Sequence, residues 1–218
     1  FDIRRLTQRL EHGTDHIAET LRLSGADIEN AIDACCLQQP PQNGNRIVDV
    51  NEIATLVAIG DAVSVAIVAR YGGVWRDAAA TRRVNLIGRI LAQYATRQDL
   101  DWRFGLLNSD AINAFSAPGG RVFITRGLYQ ILPNDDELAG VLAHEIIHID
   151  QRHAINNIAH NEMLGGFTGL LADNAGAFGQ FAQVVDAVAD EILVTGYDPD
   201  TEYEADAGGR DLADTTGF

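Results

Sequence analysis

The sequence predicts an α+β fold, mostly helical, in which a small β-sheet precedes one buried helix that carries two histidines. Three observations predict it. Apolar residues recur at helical spacing over most of the chain, as at Ile3, Leu6, Leu10, Ile17 and Leu21. Between 102 and 125 the texture changes to short aromatic or β-branched runs separated by turn residues. Beyond them, His144-Glu145-Ile146-Ile147-His148 sits in an apolar run preceded by Asn134-Asp135-Asp136-Glu137. With 218 residues, 46% of them hydrophobic, the chain can fill one sizeable core. We expect a single domain over 1–218, in which 1–75 is a helical extension packed on the core at 76–218.

In chain order, an amphipathic helix is expected over 2–23, bent near Gly13, and a short one over 26–37. Gln38-Gln39-Pro40-Pro41-Gln42-Asn43-Gly44-Asn45 reads as a loop. Helices follow near 51–70 and 77–97, capped by Asn51 and Asp77. Trp102–Leu107, Ala111–Phe115 and Arg121–Thr125 read as strands, with Gly119-Gly120 turning the chain into the third. Pro133 stops a short helix over 127–132. Asn134 then caps the histidine helix, and Glu137 completes a capping box. The stretch from Met163 to Gly179 is rich in glycine, which suits either a mobile loop or closely packed helices. Phe181–Leu193 reads as helix. Asp198-Pro199-Asp200-Thr201 opens the last one, with Thr201 and Glu204 forming its box.

The formal charge is -15, from 31 acidic residues against 16 basic ones, all arginine. So acidic a surface disfavours nucleic acid and anionic lipid as partners. Cys35 and Cys36 are adjacent, which strains a mutual disulfide and leaves no disulfide scaffold. The most apolar run, Ile53 to Ala69, has Asp61 at its middle and reads as a core helix rather than a transmembrane span. The chain opens at Phe1 rather than Met, so a leader or upstream segment is expected to precede it.

On a helix, positions four apart lie about 40° apart around the axis, so His144 and His148 project from one face and can grip one metal ion. Zinc suits two neutral imidazoles and a carboxylate, with a fourth position for water and Glu145 placed to take that water's proton. His12 and His16 share the spacing, but Gly13 stands where the base is needed, so they read as surface residues. The third ligand cannot come from a histidine three turns along, since Gln151 and Ala154 occupy the positions of the longer motif. His153 points about 140° away and reads as a cap or surface histidine. A carboxylate from another helix is therefore expected. Glu202 and Asp206, four apart, share a face, whereas Glu204 points roughly opposite to Glu202. Glu202 can bind zinc while Asp206 accepts the other ring N–H of a ligand histidine. A calcium loop at 198–209 fails because Tyr203 replaces its glycine and Gly209 its glutamate.

Taken together, Val84-Asn85-Leu86-Ile87-Gly88, Asn108 to Phe115, Pro118 to Thr125, His144 to His148 with Arg152-His153, and Glu202-Tyr203-Glu204-Ala205-Asp206 resemble one family. It is the zinc metalloendopeptidases that include the bacterial HtpX, BepA and LoiP proteins and the CAAX prenyl proteases. The resemblance covers about 84–214 and is nearest to the BepA/LoiP branch. It implies a gluzincin-type domain holding one zinc per chain through His144, His148 and Glu202, with Glu145 as general base and Asp206 behind a ligand. It implies a bacterial periplasmic or envelope setting, with membrane association through an upstream segment, and unfolded or misfolded polypeptides as substrates. Gly120, Arg121, Val122 and Phe123 resemble the family's edge strand beside the cleft, on which a peptide adds as a further strand. The chain departs from the family in having Asp198-Pro199 where Ser-Arg is common.

Two other classes compete. A latent enzyme, or a non-catalytic binding or chaperone-like module, could keep zinc without cutting, but a closed structural site needs no base at Glu145. A deformylase would need a cysteine ligand, for which Cys35 and Cys36 lack the context, and an aminopeptidase would release single residues.

Overall fold

The computed structural model describes residues 50–163 and 177–218. The expected helices over 2–23 and 26–37, the loop at 38–45, the His12 and His16 pair, Cys35-Cys36 and the glycine-rich stretch at 164–176 lie outside the described residues. In order, the elements are α1 (Val50–Arg70), α2 (Ala78–Ala92), β1 (Arg103–Leu107), β2 (Ala114–Ala117), β3 (Arg121–Thr125), α3 (Arg126–Ile131), α4 (Asp135–Asp150), α5 (His153–Met163), α6 (Ala177–Asp190), a π-turn (Glu191–Thr195) and α7 (Pro199–Thr216). The fold is mostly helical with one small mixed sheet, as the sequence predicts.

Several helix ends follow the sequence chemistry. Asp77 accepts from the Ala80 N–H, and Asn134 from the Glu137 N–H at 2.8 Å. The box at α4 differs in detail: Glu137 accepts from the Asn134 side-chain amide rather than from its backbone. At α7 the cap is Asp198, whose carboxylate accepts from the N–H groups of Asp200 and Thr201, with Pro199 filling the first turn. Thr201 is inside the helix and donates its hydroxyl to Asp198. Asn51 lies within α1 rather than capping it.

The sheet corrects the expected edge strand. Its order is β1-β3-β2, with β3 parallel to β1 and antiparallel to β2. Arg121, Val122 and Phe123 therefore occupy the central strand, and all five residues of β3 are buried. Arg121 is used internally: it pairs with Asp61 of α1 at 2.8 Å and donates to the carbonyls of Asp101 and Gly119. Gly120 turns the chain into this strand with φ 88°. The outer side of β1 is covered by residues 73–75, since Trp75 N–H donates to Leu106 and Asn108 N–H to Gly73. That leaves β2 as the edge with no strand beside it among the described residues. The second strand also begins later than expected, at Ala114 rather than Ala111.

The sheet lies between two apolar layers. Val122 and Ile124 face a core built with α2, α4 and α7, where Leu91, Leu138, Leu142, Ala143 and Ile146 are fully buried. Phe123 and Leu107 face the other way, onto Ile59, Val63 and Ile67 of α1 and Val188 of α6. Burial of both faces of β3 explains why Val122, Phe123 and Ile124 are all apolar. The window Ile53–Arg70 is long and apolar enough to cross a membrane by length and composition, with mean hydropathy 1.8. Composition thus does not exclude a span. In this structure part of the window packs on the sheet, and Asp61 at its middle meets Arg121.

Candidate metal centre

The centre forms where α7 crosses α4. Gly209 makes the approach possible: a β-carbon there would stand 2.9 Å from the His144 backbone nitrogen. Gly208 rests against Ile147 in the same contact. Glu202, Asp206 and Gly209 recur at four and then three residues, so the face that touches α4 also carries the acids. In the sequence Gly209 figures only as the residue that rules out a calcium loop, although this spacing was the available signal of a helix contact.

His144, His148 and Glu202 each offer a ligand atom, all within 4.8 Å of one another. The two Nε2 atoms are 3.0 Å apart, His144 Nε2 is 3.4 Å from Glu202 Oε2, and His148 Nε2 is 3.9 Å from Glu202 Oε1. Donors held at about 2.0–2.1 Å around a tetrahedral zinc stand about 3.3 Å apart, which these separations bracket. Asp206 lies behind the site: His144 Nδ1–H donates to its Oδ1 at 2.9 Å. That bond leaves the lone pair of His144 on Nε2, facing the other two donors. The donor set therefore fits one metal ion.

Glu145 faces the sheet side of α4. It is buried, and burial raises its carboxyl to about 7, against the opposing influence of His144 and a hydrogen bond from the Ser116 hydroxyl of β2. A carboxyl poised near neutrality can both take and return a proton. Burial, followed by the neighbouring His144 and His153, pushes His148 down to about 3, so the ring is neutral and able to bind metal. Tyr197 stacks on the His148 ring, with centroids 4.3 Å apart and planes 17° apart. Burial, and then Glu145, Glu191 and Glu202, raise the Tyr197 phenol, so it stays protonated. Tyr203, another aromatic near the acids, is exposed.

His153 departs from the expectation of a cap or surface residue. It is buried, and its Nδ1 lies 2.9 Å from Nδ1 of His148. The 140° offset from His148 holds only on an unbroken helix, at about 100° per residue. Instead α4 ends near Gln151, Arg152 takes a left-handed φ of 59°, and α5 begins at His153 on a new axis. Glu204, opposite Glu202 on α7, faces His153 Nε2 at 3.7 Å.

Residues 78–218 match the sequence profile of peptidase family M48. The chain belongs to that family. Among named relatives, a beta-barrel assembly-enhancing protease of Yersinia pestis is 37% identical over 92 residues, which are 42% of this chain and 19% of that protein. The protein of the same name in Escherichia coli is 39% identical over 77 residues, 35% of this chain and 16% of the relative. A mitochondrial metalloendopeptidase OMA1 of Schizosaccharomyces pombe is 33% identical over 97 residues, 44% of this chain and 28% of the relative. The chain thus spans less than a third of the length of these relatives. Membership makes it a member of a metallopeptidase family, and the group of His144, His148 and Glu202 is where a metal could sit.

Proposed function

We propose that this chain is a zinc-dependent endopeptidase domain that cuts unfolded or misfolded polypeptides in the bacterial envelope, in the service of protein quality control. One observation carries the reading: three metal-donor atoms converge beside a buried glutamate that meets β2, the strand with no other strand on its outer side among the described residues. Zinc bound there would polarise the scissile carbonyl and acidify the attacking water. His144, His148 and Glu202 hold the ion, and Asp206 fixes the His144 ring. Glu145 takes a proton from the water on its carboxylate and returns it to the departing amide nitrogen. The Ser116 hydroxyl of β2 donates to that carboxylate and holds it. Tyr197, which remains protonated, supplies a hydroxyl donor near the site.

A substrate strand adds along β2, Ala114–Ala117, through main-chain hydrogen bonds. An extended backbone presents those groups and a folded one does not, which favours unfolded chains as substrates. The bacterial relatives named for enhancing β-barrel assembly support the envelope setting and the quality-control role. The proposal is tested with casein as an unfolded substrate. We expect internal cuts that a chelator stops, and a loss of about 10²–10⁴-fold in Glu145→Gln with zinc retained. Zinc binding without cleavage would mean a binding module instead, and cleavage that survives Glu145→Gln would remove that residue as the base.

A further inference from the structure

We infer that His153, backed by Glu204, is a positioning residue that sets the tautomer of His148 and so completes the metal centre. The inference rests on the proposed zinc site and extends it to residues outside the three ligands. It begins with an asymmetry between the two histidines of α4. His144 gives its Nδ1–H to a carboxylate, Asp206, in the way usual for metal-binding imidazoles. His148 has no carboxylate behind it among the described residues; its Nδ1 meets the Nδ1 of another imidazole at 2.9 Å. Two imidazoles can share that contact in two ways, with the proton on either nitrogen. Only one of them leaves the lone pair of His148 on Nε2, toward His144 and Glu202.

The surroundings of His153 choose between the two. Its Nε2 is buried and has no hydrogen-bond partner among the described residues. The group it faces is the Glu204 carboxylate, 3.7 Å away, which is beyond a hydrogen bond and still close enough to act through charge. A carboxylate there favours a proton on Nε2 of His153 and disfavours a lone pair. With Nε2 protonated, Nδ1 of neutral His153 must accept, so His148 must donate from Nδ1. The His148 lone pair then falls on Nε2, and that atom is 3.0 Å from Nε2 of His144, which carries the lone pair of its own ring. Two converging lone pairs are satisfied by a cation. Tyr197 stacked on the His148 ring limits its tilt, while the bond to His153 limits its rotation in plane.

The test compares two conservative variants. An asparagine amide reaches the place of Nδ1 of histidine, whereas a glutamine amide reaches the place of Nε2. His153→Asn should hold zinc within a few-fold of wild type in chelator competition. His153→Gln should bind about 10–100-fold more weakly, the usual cost of losing such a partner. In the zinc-loaded wild type, nitrogen-15 shifts should put the His148 proton on Nδ1 and the His153 proton on Nε2. Equal zinc affinities in the two variants, or the opposite tautomers, would overturn the inference while leaving the zinc site standing. A wild-type chain that binds no zinc would instead remove the site itself, and the inference with it.

Discussion

Glu145 and His148, three residues apart on α4, carry opposite protonation preferences in the metal-free protein. Glu145 is raised from its ordinary 4.5 to about 7, so the folded chain keeps a proton that the unfolded chain releases, and stability falls as pH rises between those values. His148 is lowered from 6.5 to about 3, so the unfolded chain takes up a proton first, and stability falls as pH drops through that range. The two effects oppose each other from about 4.5 to 6.5, which makes a variant more informative than the wild type. Chemical denaturation of metal-free Glu145→Gln should show stability rising with pH from about 3 to 6.5 and then levelling. The wild type should lose about 3 kcal/mol relative to that variant between pH 4.5 and 7, an order-of-magnitude figure. A constant difference across this range would contradict the buried placement of Glu145. Ser116→Ala removes a hydrogen bond to the Glu145 carboxylate, so the acidic limb of the proposed activity should move to higher pH.

The crossing of α4 and α7 decides whether the acids reach the histidines. At Gly209 an added methyl would collide with the backbone of His144, while at Gly140, also on α4, it would meet nothing within 4 Å. Gly209→Ala should therefore lower stability by about 1–3 kcal/mol and weaken zinc binding. Gly140→Ala should gain about 1 kcal/mol through helix propensity, with zinc unaffected. Urea unfolding and zinc competition on the pair check both statements, and a tolerated Gly209→Ala would mean that the helices are free to separate. Much of this contact was legible in the sequence, because helical spacing alone puts His144 with His148 and Glu202 with Asp206. The strand order was not. Sequence adjacency pairs β2 with β3, but β1 joins β3 by parallel pairing across the whole intervening chain, and that moves Arg121–Phe123 from the edge to the centre. His153 escaped for a local reason: the left-handed Arg152 resets the helical phase, and arginine gives no sign that it will adopt that conformation.

Across the whole molecule, the three residues that could hold a metal come from two helices that are distant in sequence and meet only in the folded chain. α1 supports the arrangement from the far side of the sheet, where Asp61 holds Arg121 and Gly60 packs against Pro118 in the β2–β3 turn. Because the unfolded chain cannot assemble the three donors, zinc should stabilise the fold, by about 4 kcal/mol at a thousand times its dissociation constant. A thermal midpoint that rises with zinc in the wild type and not in His148→Ala is the expected result. The decisive measurement is metal content, by elemental analysis of wild type and Glu202→Ala. One zinc per wild-type chain is expected, and its loss in Glu202→Ala with the helical circular dichroism unchanged. A wild type without zinc, or a Glu202→Ala variant that keeps it, would contradict the metal centre described above.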